Sequence, residues 1–168
     1  MIDERQVRDA LATIPDPEMP ISIVDLGMVH AVRLDAARGT VEVDILPTFV
    51  GCPALDVIRE RIGRTLSGLD GVAAVHVRFV HDPPWTPDRI SDAGRESLRR
   101  FGVVVPPRGT DPRSQAVPLT VGGEPPRPAC PFCGSDDVRL ESRFGPTRCK
   151  MIWYCAGCRN SFEQIKPV

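Results

Sequence analysis

No run of apolar residues in this 168-residue chain approaches the ~20 that a helix needs to span a bilayer. Nor is there an excess of either charge. Twenty-one Lys and Arg stand against 22 Asp and Glu, giving a net charge of −1 and a pI of about 6.3, without the basic footprint of a nucleic-acid binder. The opening MIDERQVRDALA is charged and helical in pattern and lacks a signal peptide's apolar core. These absences predict a cytoplasmic protein with neither nucleic acid nor membrane as partner. Catalytic signatures are missing too: no Ser-His-Asp order, no phosphate-cradling Gly-rich loop and no H-E-x-x-H. The three histidines are weak signals, His30 and His76 lying on predicted strands and His81 before an Asp-Pro turn. No internal repeat is present, and no credible catalytic constellation argues for an enzyme.

What is present describes a folded chain. A hydrophobic content of 42% with 26% charged residues is ordinary for a globular protein, and the length suits one domain with a small appendage. Asp3 can cap a first helix whose Val7, Ala10, Leu11 and Ile14 follow an amphipathic stripe, ended by Pro15 and Pro17. Residues 16–29, DPEMPISIVDLGMV, read as a loop carrying Asp16 and Glu18 and then an Asp-Leu-Gly turn at Asp25. Such carboxylates are more often turn and cap residues than acid–base catalysts. Met28–Leu34 and Thr40–Leu46 read as strands; in the second, Val41, Val43 and Ile45 alternate with Glu42 and Asp44, predicting one buried and one wet face. A helix carrying Leu55, Ile58, Ile62 and Leu66 on one side leads to a third strand, Val72–Val80. A strand, crossover helix and strand of this length predict a parallel pair.

The stretch Ile45–Asp56, ILPTFVGCPALD, is the centre of that unit. Proline is favoured at the first position of a helix, so Cys52-Pro53 places the Cys52 sulfur at or next to the N-cap. There free N–H groups and the helix dipole favour the thiolate, the reactive form. The dipole supplies only about 0.3–2 kcal/mol, so greater activation requires a neighbour. The competing reading is a small buried residue, because free cysteine is among the most buried types.

Beyond His81-Asp-Pro-Pro-Trp85, a helix starting at Thr86 or Asp88 runs to about Arg100. Residues 102–128 hold seven prolines and four glycines and read as a linker. The remaining 129–168 is too short to hold a core without a staple, and Cys130-Pro-Phe-Cys133 with Cys155-Ala-Gly-Cys158 supplies one. Each C-x-x-C pair can donate two thiolates, and two pairs complete a tetrahedral site. The predicted result is a zinc ribbon with a hairpin from Val138–Phe144 and Lys150–Tyr154 and a further strand over Asn160–Lys166. Iron in the same four-cysteine site, as in rubredoxin, is the alternative, since ligand softness does not separate the two metals. Cys149 reads as a plain strand residue, with a spare thiol or alternative ligand as the minority reading. The predicted fold class is α+β: a small α/β sandwich with a mixed sheet and packed helices (1–82), a helical extension (83–101), the linker (102–128) and a small β zinc ribbon (129–168).

Together, DPEMPISIVDLGMV, TFVGCP (48–53) and the order of elements resemble the iron–sulfur cluster assembly family that includes SufT, over about residues 3–80. The continuation HDPPWTPDRISDAGRESLRRFGVVVPP (81–107), then CPFCGS, FGPTRCK and the second C-x-x-C with SFEQIKP, resembles the PaaD family of the phenylacetyl-CoA epoxidase system in phenylacetate degradation. The resemblance implies a non-catalytic accessory protein that matures an iron–sulfur or di-iron centre, with the epoxidase oxygenase and iron–sulfur reductase as clients. It places the family's reactive cysteine at Cys52 and its Asp-Leu-Gly acid at Asp25, with Thr48, Asp16 and Glu18 in the other matching motifs. It further implies structural zinc at the four cysteines, a ribbon that docks the client, and transient iron or a cluster at Cys52. One thiolate cannot encage a cluster, so a homodimer, a partner or a ligand such as Asp25 must contribute. A structural subunit of the epoxidase, or an electron carrier using iron in the ribbon, is the alternative.

Overall fold

The computed structural model of the chain describes residues 2–49, 51–109 and 125–166. It divides into two compact units, one built from Met1–Trp85 and Arg89–Gly94, the other from Thr86–Asp88 and Arg95–Val168. Among the described residues, no helix is long and apolar enough to cross a membrane.

The first unit begins with α1 (Glu4–Ala12), closed at its start by a capping box in which Asp3 accepts from the Gln6 N–H and Gln6 accepts from the Asp3 N–H. Strands β1 (Val29–Asp35), β2 (Thr40–Ile45) and β3 (Ala74–Phe79) form a sheet in the order β1-β2-β3. The β1/β2 pair is antiparallel and β2/β3 parallel, the latter joined by α2 (Ala54–Ser67) as crossover. Val41, Val43 and Ile45 of β2 are fully buried, as are Ile62 and Leu66 of α2 and Val7 and Leu11 of α1. Each such aliphatic side chain contributes about 1.5–3 kcal/mol on burial, so the period-2 and period-3.6 stripes account for this core.

Three sequence expectations are corrected between residues 40 and 100. Asp44 does not lie on a wet face: it is buried. Its carboxylate accepts from Arg78 Nε at 2.9 Å and Nη2 at 3.2 Å and from Arg33 Nη2 at 2.7 Å, so two cross-strand guanidiniums replace its water. The helix after Cys52 begins at Ala54, with Pro53 as N-cap rather than first helical residue, so Cys52 lies just before the cap. The helix expected from Thr86 or Asp88 instead has a short 3-10 turn, Pro87–Arg89, and then α3 (Asp92–Arg100). Ser91 Oγ accepts the Gly94 N–H at 2.9 Å and so caps α3, an interaction that neither Thr86 nor Asp88 provides.

The second unit contains β4 (Val103–Val104), β5 (Val138–Ser142), β6 (Lys150–Cys155) and β7 (Ser161–Ile165) in a four-stranded sheet of order β4-β7-β6-β5. The two valines of β4, inside the stretch read as linker, pair parallel to β7; residues 110–124 of that stretch lie outside the described residues. The core is small: Val138, Met151, Trp153 and Phe162 with Cys130 and Cys155. Trp153 is fully buried, and its Nε1 donates to Gln164 Oε1 at 2.8 Å, so the indole brings no unmet donor inside. The buried Lys150 is neutralised by Glu163 at 2.6 Å.

Candidate functional site

Four segments singled out in the sequence meet at one end of the three-stranded sheet. The pairing of Val29 with Ile45 puts the start of β1, and so the Asp25-Leu26-Gly27 turn before it, beside the end of β2. The Ile45–Phe79 pairing puts the exit of β3 there as well. The Leu46 N–H donates to Met28 O at 2.8 Å and the Val80 N–H to Ile45 O at 2.9 Å, so the loop bearing Thr48 and Cys52 leaves the sheet between those two neighbours. The Asp16–Glu18 loop is tied to the same region, since Pro15 bridges Ser22 and the Ile23 N–H donates to Ile14 O at 3.0 Å.

Thr48 is buried and Cys52 half-buried. Gly51, at φ +76°, lets the chain turn sharply before the cysteine. The Cys52 N–H donates to Phe49 O and its carbonyl accepts from the Leu55 N–H, both at 3.3 Å, fixing it at the mouth of α2. Pro53 contributes no side-chain cap, so the first N–H groups of α2 are not closed off by the N-cap residue.

The carboxylates are engaged in structural bonds. Asp16 Oδ1 accepts from the Glu18 and Met19 N–H groups at 2.8 and 2.9 Å, an Asx-type turn. Asp25 accepts from Ser22 Oγ at 3.0 Å on one oxygen and from Ser91 Oγ at 2.6 Å on the other. Sequence reasoning does not single out Ser91; its only signal there is its place just before the helical pattern of α3. The three carbonyls of the Asp-Leu-Gly turn are also claimed: Ser91 N–H donates to Asp25 O, Trp85 Nε1 to Leu26 O and Arg89 Nε to Gly27 O, each at 2.9 Å. Among the described residues, Cys52, Asp16, Glu18 and Asp25 do not converge as a set of three or more metal ligands.

The second unit does contain such a set. The ligand atoms of Cys130, Cys133, Cys155 and Cys158 lie within 4.8 Å of one another. The Cys130–Cys158 and Cys133–Cys155 sulfur pairs are each 3.6 Å apart. A tetrahedral metal with metal–sulfur bonds of about 2.3 Å needs sulfurs about 3.8 Å apart, so the cage fits a metal ion. Each knuckle turns through a left-handed residue directly after its second cysteine, Gly134 at φ +75° in one and Arg159 at φ +60° in the other. Two residues past the second cysteine, the Ser135 and Asn160 backbones hydrogen-bond to the Cys133 and Cys158 sulfurs. Without a cation the four thiols share charge poorly. At Cys133 the Ser135 bond favours the thiolate, but burial and the other three sulfurs push the pKa up to about 12. At Cys158 burial opposes ionisation, yet Asn160, Cys130 and Cys133 bring it down to about 7. A divalent cation resolves this contest by favouring four thiolates at once. Cys149 is not in this set; it is buried in the turn before β6, its sulfur 3.2 Å from Thr147 Oγ1.

Comparison with known proteins agrees with both halves. Residues 4–77 match the family described as iron–sulfur cluster assembly protein, and residues 114–166 match the PaaD zinc beta ribbon domain. The chain belongs to the iron–sulfur cluster assembly family, in the PaaD branch that adds a metal-binding ribbon. Among individual relatives, it is 36% identical over 94% of its length to 89% of an Escherichia coli (strain K12) protein named as a subunit of 1,2-phenylacetyl-CoA epoxidase. It is 33% identical over 56% of its length to 92% of the Fe-S protein maturation auxiliary factor YitW of Bacillus subtilis (strain 168). The solved domain of unknown function DUF59 from Bacillus anthracis superposes with a TM-score of 0.54 at 28% identity, covering 56% of this chain and 90% of that one.

Proposed function

We propose that the chain is an accessory maturation protein of a phenylacetyl-CoA epoxidase system, delivering iron or an iron–sulfur cluster to an oxygenase or reductase component without itself catalysing the oxygenation. The observation that carries this reading is the placement of Cys52, the one cysteine of the first unit, half-exposed at the sheet end where the family's motifs gather. A soft thiolate holds iron or a cluster. The cargo's remaining ligands come from a second copy or from the client, because Asp16 and Asp25 spend carboxylate oxygens on backbone and hydroxyl donors. In that scheme Asp25, Asp16 and Thr48 shape the loops around Cys52. The ribbon's four thiolates hold a structural zinc, and the ribbon docks the client.

The test is anaerobic purification with metal analysis and a visible spectrum for wild type and Cys52→Ser, together with the metal content of epoxidase components from a strain carrying that variant. About one zinc per chain in both proteins, with labile iron lost in the variant and under-loaded client, is the expected outcome. Fully metallated, active client in the Cys52→Ser strain overturns the reading. A second reading, a stoichiometric structural subunit, is favoured by the name of the E. coli relative. It predicts constant co-purification with the oxygenase and client metal unaffected by Cys52→Ser.

A further inference from the structure

The ribbon carries a concave site outside the four-cysteine cage. It has a volume of about 330 Å³ and is lined by Pro125, Arg143, Phe144, Met151 and Lys166. Its lining combines apolar side chains, an aromatic ring and two cations, and among the described residues no carboxylate lines it. Phe144 is 76% exposed, the most exposed of the large hydrophobic residues described. Nothing in the ribbon's own core requires that ring to face water: the buried cluster is complete without it.

The site is also pre-set. Ser142 Oγ accepts the Phe144 N–H at 3.0 Å and donates to Phe144 O at 2.8 Å, which fixes the backbone that presents the ring. The Lys166 ammonium donates to Arg148 O at 2.8 Å and lies 5.0 Å from the centroid of the Phe144 ring. One carbonyl acceptor leaves that ammonium two further protons to donate. Rotamer entropy of a long cationic side chain is a large part of what surface binding sacrifices, and here much of it is already spent in the free protein. The chain has only two lysines, and the other, Lys150, is buried against Glu163.

We infer that this face of the ribbon is a docking site for an acidic peptide segment bearing a large apolar side chain, with a carboxylate meeting Lys166 and the apolar group entering against Phe144 and Met151. The inference rests on the docking role proposed for the ribbon and is independent of any iron chemistry at Cys52.

The test uses the full-length, metal-loaded protein and a rhodamine-labelled peptide, Glu-Glu-Phe-Glu-Glu, followed by fluorescence anisotropy at low and at physiological salt. Lys-Lys-Phe-Lys-Lys is the control. Saturable binding of the acidic probe alone is expected, weakened about tenfold by Lys166→Gln and by Phe144→Ala, about 1.4 kcal/mol each in the affinity scale. Both residues lie outside the ribbon's buried cluster, so zinc content and circular dichroism of the variants should match wild type. No saturable binding, equal binding of the basic probe, or unchanged affinity in both variants overturns the docking site. None of these outcomes alters iron content in Cys52→Ser, so failure here and failure of the Cys52 reading are read separately.

Discussion

Gly27 offers the sharpest test of how the sheet-end turn is held. Its φ is +72°, and a Cβ built on it would stand 2.5 Å from both Cβ and the carbonyl oxygen of Arg89. Gly27→Ala therefore meets two penalties: about 1–2 kcal/mol for a non-glycine residue in the left-handed region, and about 1–3 kcal/mol for forcing packed groups apart. Reduced freedom of the unfolded chain returns about 0.4–1 kcal/mol, leaving a loss of about 1–4.5 kcal/mol. Gly51 is the internal control, with φ +76° but nothing within 4 Å of its Cβ position. Gly51→Ala should lose only the conformational part, about 0–1.5 kcal/mol net. With a urea slope near 1 kcal/mol/M, the two midpoints should differ by about 2 M. The assay is urea titration followed through the two tryptophan indole N–H signals in NMR, since Trp85 belongs to the first unit and Trp153 to the second. Trp85 Nε1 is bonded to Leu26 O, directly beside the perturbed glycine, so its signal should also shift in the native Gly27→Ala protein. Equal midpoints for the two variants would refute the claim that close approach of Arg89, rather than φ alone, demands glycine at 27.

Two further outcomes follow from charge and metal. Chelation of the ribbon metal should release the second unit, because structural zinc, the metal proposed for this cage, contributes about 10–16 kcal/mol in small ribbon-sized domains; the Trp153 signal should collapse to its unfolded position while that of Trp85 persists. Asp44 has a pKa held below its ordinary value of 3.8, chiefly by hydrogen bonds from Arg78, against burial, with Arg33 adding to the effect. The stabilisation is fully present above that ordinary value and is lost as pH falls through the depressed one. Asp44→Asn should thus lower the neutral-pH stability by about 1–2 kcal/mol, the arginines' exposure discounting the pair. It should also flatten the acid limb of the urea midpoint as pH falls through and below the ordinary carboxylate range.

How legible this was in the sequence depended on whether a signal was local. The β2 alternation and the α2 stripe are set by which residues leave water, so the strands, the crossover and their parallel pairing could be read directly. The paired C-x-x-C motifs fixed the cage because ligand count and spacing are properties of short segments. Asp44 was misplaced because alternation reports polarity and not partners: Arg33 and Arg78 come from two other strands. Ser91 was missed because its function exists only once residue 25 stands beside it, 66 positions away. The same holds for the Lys166–Phe144 pair, contributed by the end of β7 and the loop after β5. Val103 and Val104 were hidden in a proline-rich composition, although their β-branched side chains suit the short strand they form.

The claims on the Asp-Leu-Gly turn carry a consequence for excision experiments. The family match ends at residue 77, just within β3. A fragment cut there would keep nearly all of the first sheet, yet strand the carbonyls of Asp25, Leu26 and Gly27, whose donors come from Ser91, Trp85 and Arg89. It would also strip Asp25 of one of its two hydroxyl donors. The autonomous fragment is therefore longer than the motif that defines the family. It has to reach at least Gly94, whose N–H anchors the serine that completes the turn.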